Sequence, residues 1–226
     1  MKINKAKKLL EIDIMKFLLL FSSGLDSSSV AYYYAKKGLD FDCLFINYGQ
    51  SSARMQLKYG KIICEKLKRR LIIINAKNLG EAFVNNDWLR PHEPIIHRNL
   101  VIVPIAIAYA KQNGYERVIM ATIKEDCEYE PNRRDVMEKL KELGEILGVR
   151  FETPFVNFPK YLLLKIGIKS GLDPSLTYSC LLGHKYHCGK CSQCLKRIEA
   201  FKQAKIRDPT IYKWILIKAS DKLKLH

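Results

Sequence analysis

Two short stretches of this 226-residue chain carry side chains whose types and spacing could do chemistry. The first is Ser22-Ser23-Gly24-Leu25-Asp26-Ser27. It follows the apolar run Phe17–Phe21, which suits a buried strand, and leads into a helix pattern from Ser27 to Lys37 that Gly38 closes. Strand, tight polar turn and serine-rich helix start form an anion-binding layout. Free backbone N–H groups and the positive end of the helix dipole point into such a turn. The turn lacks the Lys-Ser/Thr of a Walker A loop, the three glycines of a dinucleotide fingerprint and the flanking glycines of a nucleophile elbow. From this stretch alone, a capped helix with no ligand would read the same way.

The second stretch is Cys180-x7-Cys188-x2-Cys191-x2-Cys194, four thiols in fifteen residues. Thiolates at two-residue intervals can wrap one tetrahedral zinc ion, with Gly189 allowing the sharp turn, and an iron–sulfur cluster uses the same four ligands. His184 and His187 read as loop residues near the phosphates or solvent. The chain has seven cysteines, and in a cytoplasmic protein that number argues for metal or chemistry before disulfides.

The composition bounds the partners. The formal net charge is +16, from 39 Lys and Arg against 23 Asp and Glu. That surplus suits RNA, ATP or a carboxylate substrate, and a Lys-, Glu- and Ile-rich thermophile surface equally well. It is spread along the chain, so direct nucleic-acid binding is not expected. Hydrophobic residues make up 48%, and no segment approaches a membrane span. The basic N-terminal stretch to Phe21 has Glu11 and Asp13 ahead of a short apolar run and no small-residue cleavage site. It reads as a short helix leading into the first strand, which places the chain in the cytoplasm. A homodimer stays open.

The elements that must position the two stretches read as α/β. After Gly38 come a strand (Phe41–Asn47), a helix from about Ser51 to Lys68 and a third strand (Leu71–Asn75), all of them too apolar for an exposed sheet face. A parallel, doubly wound sheet covered on both sides follows, with ligands at the carboxyl ends of its strands. Ser22–Ser27 and Tyr48-Gly49-Gln50 then share one rim. Asn75 to His97 reads as a long loop, and Leu100 to Ala110 as a buried helix kinked or delayed by Pro104. A fourth strand (Arg117–Thr122), a charged loop (Lys124–Asn132), a helix (Arg133–Leu147), a short strand near Phe151–Pro154 and a helix (Pro159–Lys169) complete the pattern. Residues 1–172 form the α/β unit in this reading, and 173–226 a small metal module with C-terminal helices.

With both motifs placed, the chain resembles the 7-cyano-7-deazaguanine synthase family of adenylating ATP pyrophosphatases, the PP-loop proteins with a HUP-like fold. Ser22–Ser27 matches five of the six positions of their Ser-Gly-Gly-X-Asp-Ser loop, with Ser23 in place of the first glycine. Tyr48-Gly49-Gln50, Arg98-Asn99, Glu152-Thr153-Pro154, Leu176-Thr177-Tyr178-Ser179-Cys180 and Cys188-Gly189-Lys190-Cys191-Ser192-Gln193-Cys194 also match. The resemblance implies a ligase of queuosine and archaeosine biosynthesis, in the tRNA modification pathway. It would adenylate 7-carboxy-7-deazaguanine with ATP, add free ammonia, and activate the amide again to give the nitrile. ATP would be held by Ser22, Ser23, Gly24, Leu25, Asp26, Ser27, Tyr48 and Gln50, with Asp26 also holding Mg²⁺. Asp26, Ser27, Arg98 and Arg134 would carry the catalysis. Cys180, Cys188, Cys191 and Cys194 would hold Zn²⁺.

For the base, the strand-end loops offer Tyr48, Gln50, Asn132, Arg134 and Asp173, with Arg134 gripping the carboxylate or the AMP phosphate and a lysine such as Lys165 adding counter-charge. Two departures from the family pattern stand out. Ser51-Ser52 follow Tyr-Gly-Gln where Arg-His is usual, and Glu128-Tyr129-Glu130-Pro131-Asn132-Arg133-Arg134 replaces Ser-Gly-Tyr-Pro-Asp-Cys-Arg. The competing readings are a tRNA-thiolating adenylase, a zinc-ribbon RNA-binding protein, and a diverged paralogue that joins the same acid to another acceptor. Cys127 reads as a plain loop cysteine.

Overall fold

The computed structural model describes residues 16–84 and 92–213. The short helix expected ahead of the first strand lies almost wholly outside these residues, as does the chain beyond 213. Five strands, β1 (Phe17–Leu20), β2 (Phe41–Asn47), β3 (Leu71–Asn75), β4 (Arg117–Met120) and β5 (Arg150–Glu152), form one sheet in the order β3-β2-β1-β4-β5. Every pairing is parallel, with Leu19 set between Cys43 and Ile119. All of β1 is buried, because helices cover both faces of the sheet and alternate side chains enter different cores.

On one face, Phe17 and Leu19 pack with helices α1 (Leu25–Lys36) and α2 (Ala53–Lys66). On the other, Leu18 and Leu20 meet α4 (Asn99–Gln112) and α5 (Arg134–Ile146). Helix α6 (Lys160–Lys169) crosses α1 closely, since a Cβ on Gly167 would lie 2.4 Å from Ser29 Oγ. Only glycine permits that approach, and at their first turns the same two helices meet through Lys160 and Asp26. Helix α7 (Ser192–Ala204) follows the cysteine stretch and packs on α1 and α6 through Ala200, Phe201 and Ala204. The expected doubly wound parallel α/β sheet with a C-terminal four-cysteine cluster is the fold observed.

Two expectations about elements need correction. The stretch Asn75 to His97 is not all loop, because helix α3 (Lys77–Val84) occupies its start. Leu79 and Phe83 are exposed on α3, so its apolar pattern points away from the core and gives a weak signal. Gly80 seats it under the end of β2, where a Cβ would fall 1.9 Å from the Tyr48 carbonyl oxygen. Pro104 does not delay α4, which starts at Asn99 and runs through it. Proline at this position removes only the bond to the carbonyl of Leu100, an exposed residue in the first turn where water can serve.

Candidate active site

The strand order reverses between β1 and β4, and crevices at such points gather ligands. A cavity of about 320 Å³ opens there. Its floor is apolar, from Leu20, Phe21, Leu44, Ile46, Ile102 and Met120, and its rim is polar. That division suits a flat heterocycle carrying charged groups.

The β1–α1 turn forms one wall. Gly24 ends the extended backbone (ψ 171°) at the N-cap of α1, and no side chain caps the helix. The first N–H groups of α1 therefore face the cavity as donors, beside the Ser22 and Ser27 hydroxyls, which lie 3.2 Å apart. Tyr178 N–H donates to the Ser23 carbonyl at 2.9 Å, joining the turn to the segment before the cysteines. Tyr178, Ser179, Ser192 and Gln193 from that region complete the rim.

Below the turn, Asp26 forms an ion pair with Lys160, the first residue of α6. Both are largely buried. Burial raises the Asp26 pKa, the Lys160 charge lowers it, and the nearby Asp126 carboxylate raises it again, leaving it above the usual range. Asp26 Oδ1 has no hydrogen-bond partner. A carboxylate oxygen left bare beside a second carboxylate fits a hard divalent cation. Glu125 accepts from Lys160 N–H at 2.9 Å and so caps α6, while Lys196 of α7 bonds the Glu125 carbonyl at 3.0 Å and Asp126 at 3.2 Å.

The opposite wall is built on Glu93, which is buried and accepts from both Tyr48 Oη (2.8 Å) and Arg98 Nη1 (2.6 Å). Burial opposes the Arg98 charge, but Tyr48 and Glu93 outweigh it and hold the guanidinium protonated. Gln50 braces the β2 end. It accepts from Tyr48 N–H at 3.0 Å and donates to the Ile46 carbonyl and to Gln56.

The four cysteine sulfurs lie within 4.8 Å of one another, with Cys188 and Cys194 3.9 Å apart. A tetrahedral ion with bonds of ~2.3 Å sets its sulfurs at about 3.8 Å. Backbone N–H groups of Cys188, Lys190 and Cys191 point at Cys180 and Cys188 Sγ, and such bonds favour thiolates. Hydrogen bonds from Cys180 and Cys194 push the Cys191 pKa down, while the same contacts push Cys194 up. A metal ion bound there would favour the thiolate form of all four. Gly189 turns with φ +73°, as expected.

His187 is neither at the phosphates nor in solvent but buried, against expectation. Its Nε2 accepts from Ser179 N–H at 3.0 Å, so the ring must be neutral. Burial and the Arg197 charge push its pKa down from 6.5 to about 4. In the unfolded chain the ring takes a proton near 6.5. Stability from this group is therefore complete above pH 6.5 and is lost as pH falls toward 4, by up to about 3 kcal/mol. Thermal unfolding followed across that window should show the loss. His187→Gln keeps an acceptor for Ser179 and should flatten the slope, whereas an unchanged slope would assign the acid sensitivity elsewhere.

A sequence profile described as queuosine biosynthesis protein QueC matches residues 16–205. This chain belongs to that family. A relative from Sulfurisphaera tokodaii named 7-cyano-7-deazaguanine synthase 1 is 67% identical over 198 residues, covering 88% of this chain and 98% of its own. The 7-cyano-7-deazaguanine synthase of Caldicellulosiruptor bescii is 28% identical over 216 residues, 88% of this chain and 97% of its own. Among solved structures, the NMN synthetase of Francisella tularensis superposes with a TM-score of 0.57 at 16% identity, over 88% of this chain and 81% of its own. That last likeness concerns the fold alone.

Within this QueC-family chain, Ser22, Gly24, Leu25, Asp26, Ser27, Tyr48, Gln50, Arg98 and Asn132 all line the cavity. Ser23 is buried beneath it, in the left-handed conformation (φ +53°) that the glycine of the usual loop adopts without strain. Its hydroxyl donates to the Gln56 carbonyl at 2.7 Å, which offsets a cost of roughly 1–2 kcal/mol. Arg134 is elsewhere. It is exposed and donates to Asn157 Oδ1 at 2.7 Å, because the turn into α5 rotates it away from the cavity. Asp173 also lies off the cavity, capping a short turn by accepting from Ser175 N–H at 2.9 Å. Lys165 lies over the Tyr161 ring and does not line the cavity. Lys160 takes the place expected for Lys165. The two are five residues apart, about 140° around the helix. Cys127 donates to the Ile123 carbonyl and does not line the cavity.

Proposed function

We propose that this chain is an ATP-dependent carbon–nitrogen ligase that converts 7-carboxy-7-deazaguanine and ammonia to 7-cyano-7-deazaguanine. The observation that carries the reading is one cavity with uncapped helix N–H groups and Asp26–Lys160 on one wall and Arg98 on the other. The 67% identity to a relative of that name supports the choice of substrate. The substrate is a free base, so the enzyme works in the cytoplasm without a nucleic-acid or membrane partner.

A carboxylate is a poor electrophile because oxide cannot leave. In the first step its oxygen attacks the α-phosphorus of ATP, the bond to the β-phosphate breaks, and pyrophosphate departs. Ser22, Ser27 and the N–H groups after Gly24 hold the β- and γ-phosphates as charge builds on them. Lys160 adds positive charge at that end, and Arg98 holds the acid's carboxylate for attack by two parallel bonds. Asp26, through its unpartnered oxygen, would hold Mg²⁺, which supplies charge neutralisation to the leaving pyrophosphate. Ammonia then adds to the acyl carbon and AMP leaves with the former carboxylate oxygen, giving the amide. A second adenylation on the amide oxygen, and loss of AMP and two protons, gives the nitrile. The apolar floor keeps water from the acyl adenylate.

Residues 173–226 act in this reading as a structural module on residues 1–172, with zinc on Cys180, Cys188, Cys191 and Cys194. Incubating the protein with Mg-ATP, ammonium and the acid should yield the nitrile by mass spectrometry, with AMP and pyrophosphate. Unchanged acid, in ammonium-rich buffer, would mean another acceptor or another base.

A further inference from the structure

The cavity wall opposite the phosphate-binding turn carries a cation whose counter-ion comes from the protein. Glu93 is 8% exposed, and a single one of its oxygens, Oε1, accepts from both Tyr48 Oη at 2.8 Å and Arg98 Nη1 at 2.6 Å. Tyr48 directly follows β2 and is itself buried, so its hydroxyl ties Glu93 to the sheet. Arg98 uses one nitrogen on this pair. Its Nε and Nη2 make no hydrogen bond among the described residues, and the residue lines the cavity. A two-donor edge of the guanidinium is therefore left for a ligand, while the Glu93–Arg98 pair as a whole is electrically neutral.

We propose that Glu93 sets which substrates this wall accepts: it neutralises Arg98, so that the free edge of the guanidinium binds first the anionic acid and then the neutral amide with similar strength. This rests on the function proposed above, in which one cavity must activate two different groups, a carboxylate and then the carboxamide made from it. An arginine without a partner would hold the carboxylate far more tightly than the amide, because only the carboxylate answers its charge. With Glu93 in place, the amide leaves no charge stranded, and its oxygen accepts from the same edge that held the acid. Glu93 acts through Arg98 and is a positioning residue, held in place by Tyr48.

Glu93→Gln isolates the charge, because a carboxamide oxygen in the place of Oε1 still accepts from both Tyr48 and Arg98. Calorimetric titrations, with Mg²⁺ and the non-hydrolysable analogue α,β-methylene-ATP present, compare 7-carboxy-7-deazaguanine with its 7-carboxamide. Wild-type protein should bind the two within about tenfold of each other. Glu93→Gln should bind the acid about tenfold more tightly than wild type, with the amide unchanged within ~twofold, since only the acid gains from an uncompensated charge. A residue that merely packs would move both affinities together. Affinities that move together, stay as in wild type or shift against the acid overturn the proposal, as does a gain for the ATP analogue alone. Should Glu93→Gln fail to fold, the wild-type comparison decides by itself. Wild-type protein that converts the acid to the nitrile yet binds it more than about tenfold tighter than the amide overturns the proposal and leaves the function standing. Wild-type protein that binds neither compound contradicts the function reading underneath, and the proposal with it.

Discussion

Asp26→Asn should lower the rate of AMP formation by at least ~100-fold while leaving the fold intact, the scale of losing a metal or oxyanion contact. Asparagine matches the shape of Asp26 but carries no charge. The bare Oδ1 then becomes a neutral amide atom that holds a hard cation poorly. The substitution also leaves Lys160, 4% exposed, facing an amide and no longer a carboxylate. The lysine charge would then move toward the phosphates or stay buried without a counter-ion, and either change disorganises the pyrophosphate wall. Adenylation measured by AMP release, beside a melting curve, separates the chemical loss from unfolding. A fall of less than fivefold would remove Asp26 from the reaction.

Cys191→Ser should lower metal content and thermal stability together. Four thiolates would make a closed shell with no open position for water, so an ion held there would stabilise the fold and not enter the chemistry. The consequence still reaches the cavity. Cys191 caps α7, whose Lys196 holds Glu125 and Asp126, and the segment before Cys180 holds the Ser23 carbonyl through Tyr178. The variant should melt at least ~10 °C lower, on a scale where structural zinc contributes about 10 kcal/mol to small domains. Wild-type protein should be colourless with one zinc per chain. A brown preparation with stoichiometric iron and sulfide would replace zinc by a cluster.

The parts of the site that could be read from the sequence are those made by neighbours along the chain. Ser22 to Ser27 is a strand end, a turn and a helix start in consecutive residues, so local rules place its donors. The cysteines are likewise close in sequence, and their spacing alone states a tetrahedral cage. The hidden part is made by tertiary pairing. Lys160 meets Asp26 across 134 positions, and no periodicity marks it out from Lys165 on the same helix. Glu93 is hidden in the sequence for the same reason, because it is defined by two partners, Tyr48 and Arg98, on other elements. Arg133 and Arg134 stand together at a helix start, and neither guanidinium reaches the cavity, since Arg133 pairs with Asp135 and Arg134 with Asn157.

The reaction proposed for this cavity begins when a carboxylate oxygen attacks the α-phosphorus of ATP. Carboxyl-¹⁸O-labelled 7-carboxy-7-deazaguanine tests it directly. In that reaction the labelled oxygen bridges base and phosphorus in the intermediate and leaves with AMP. Mass spectrometry of the nucleotide product should therefore find ¹⁸O in the AMP phosphate, with unlabelled pyrophosphate. Label in inorganic phosphate alongside ADP, or unlabelled AMP beside nitrile product, would contradict the account.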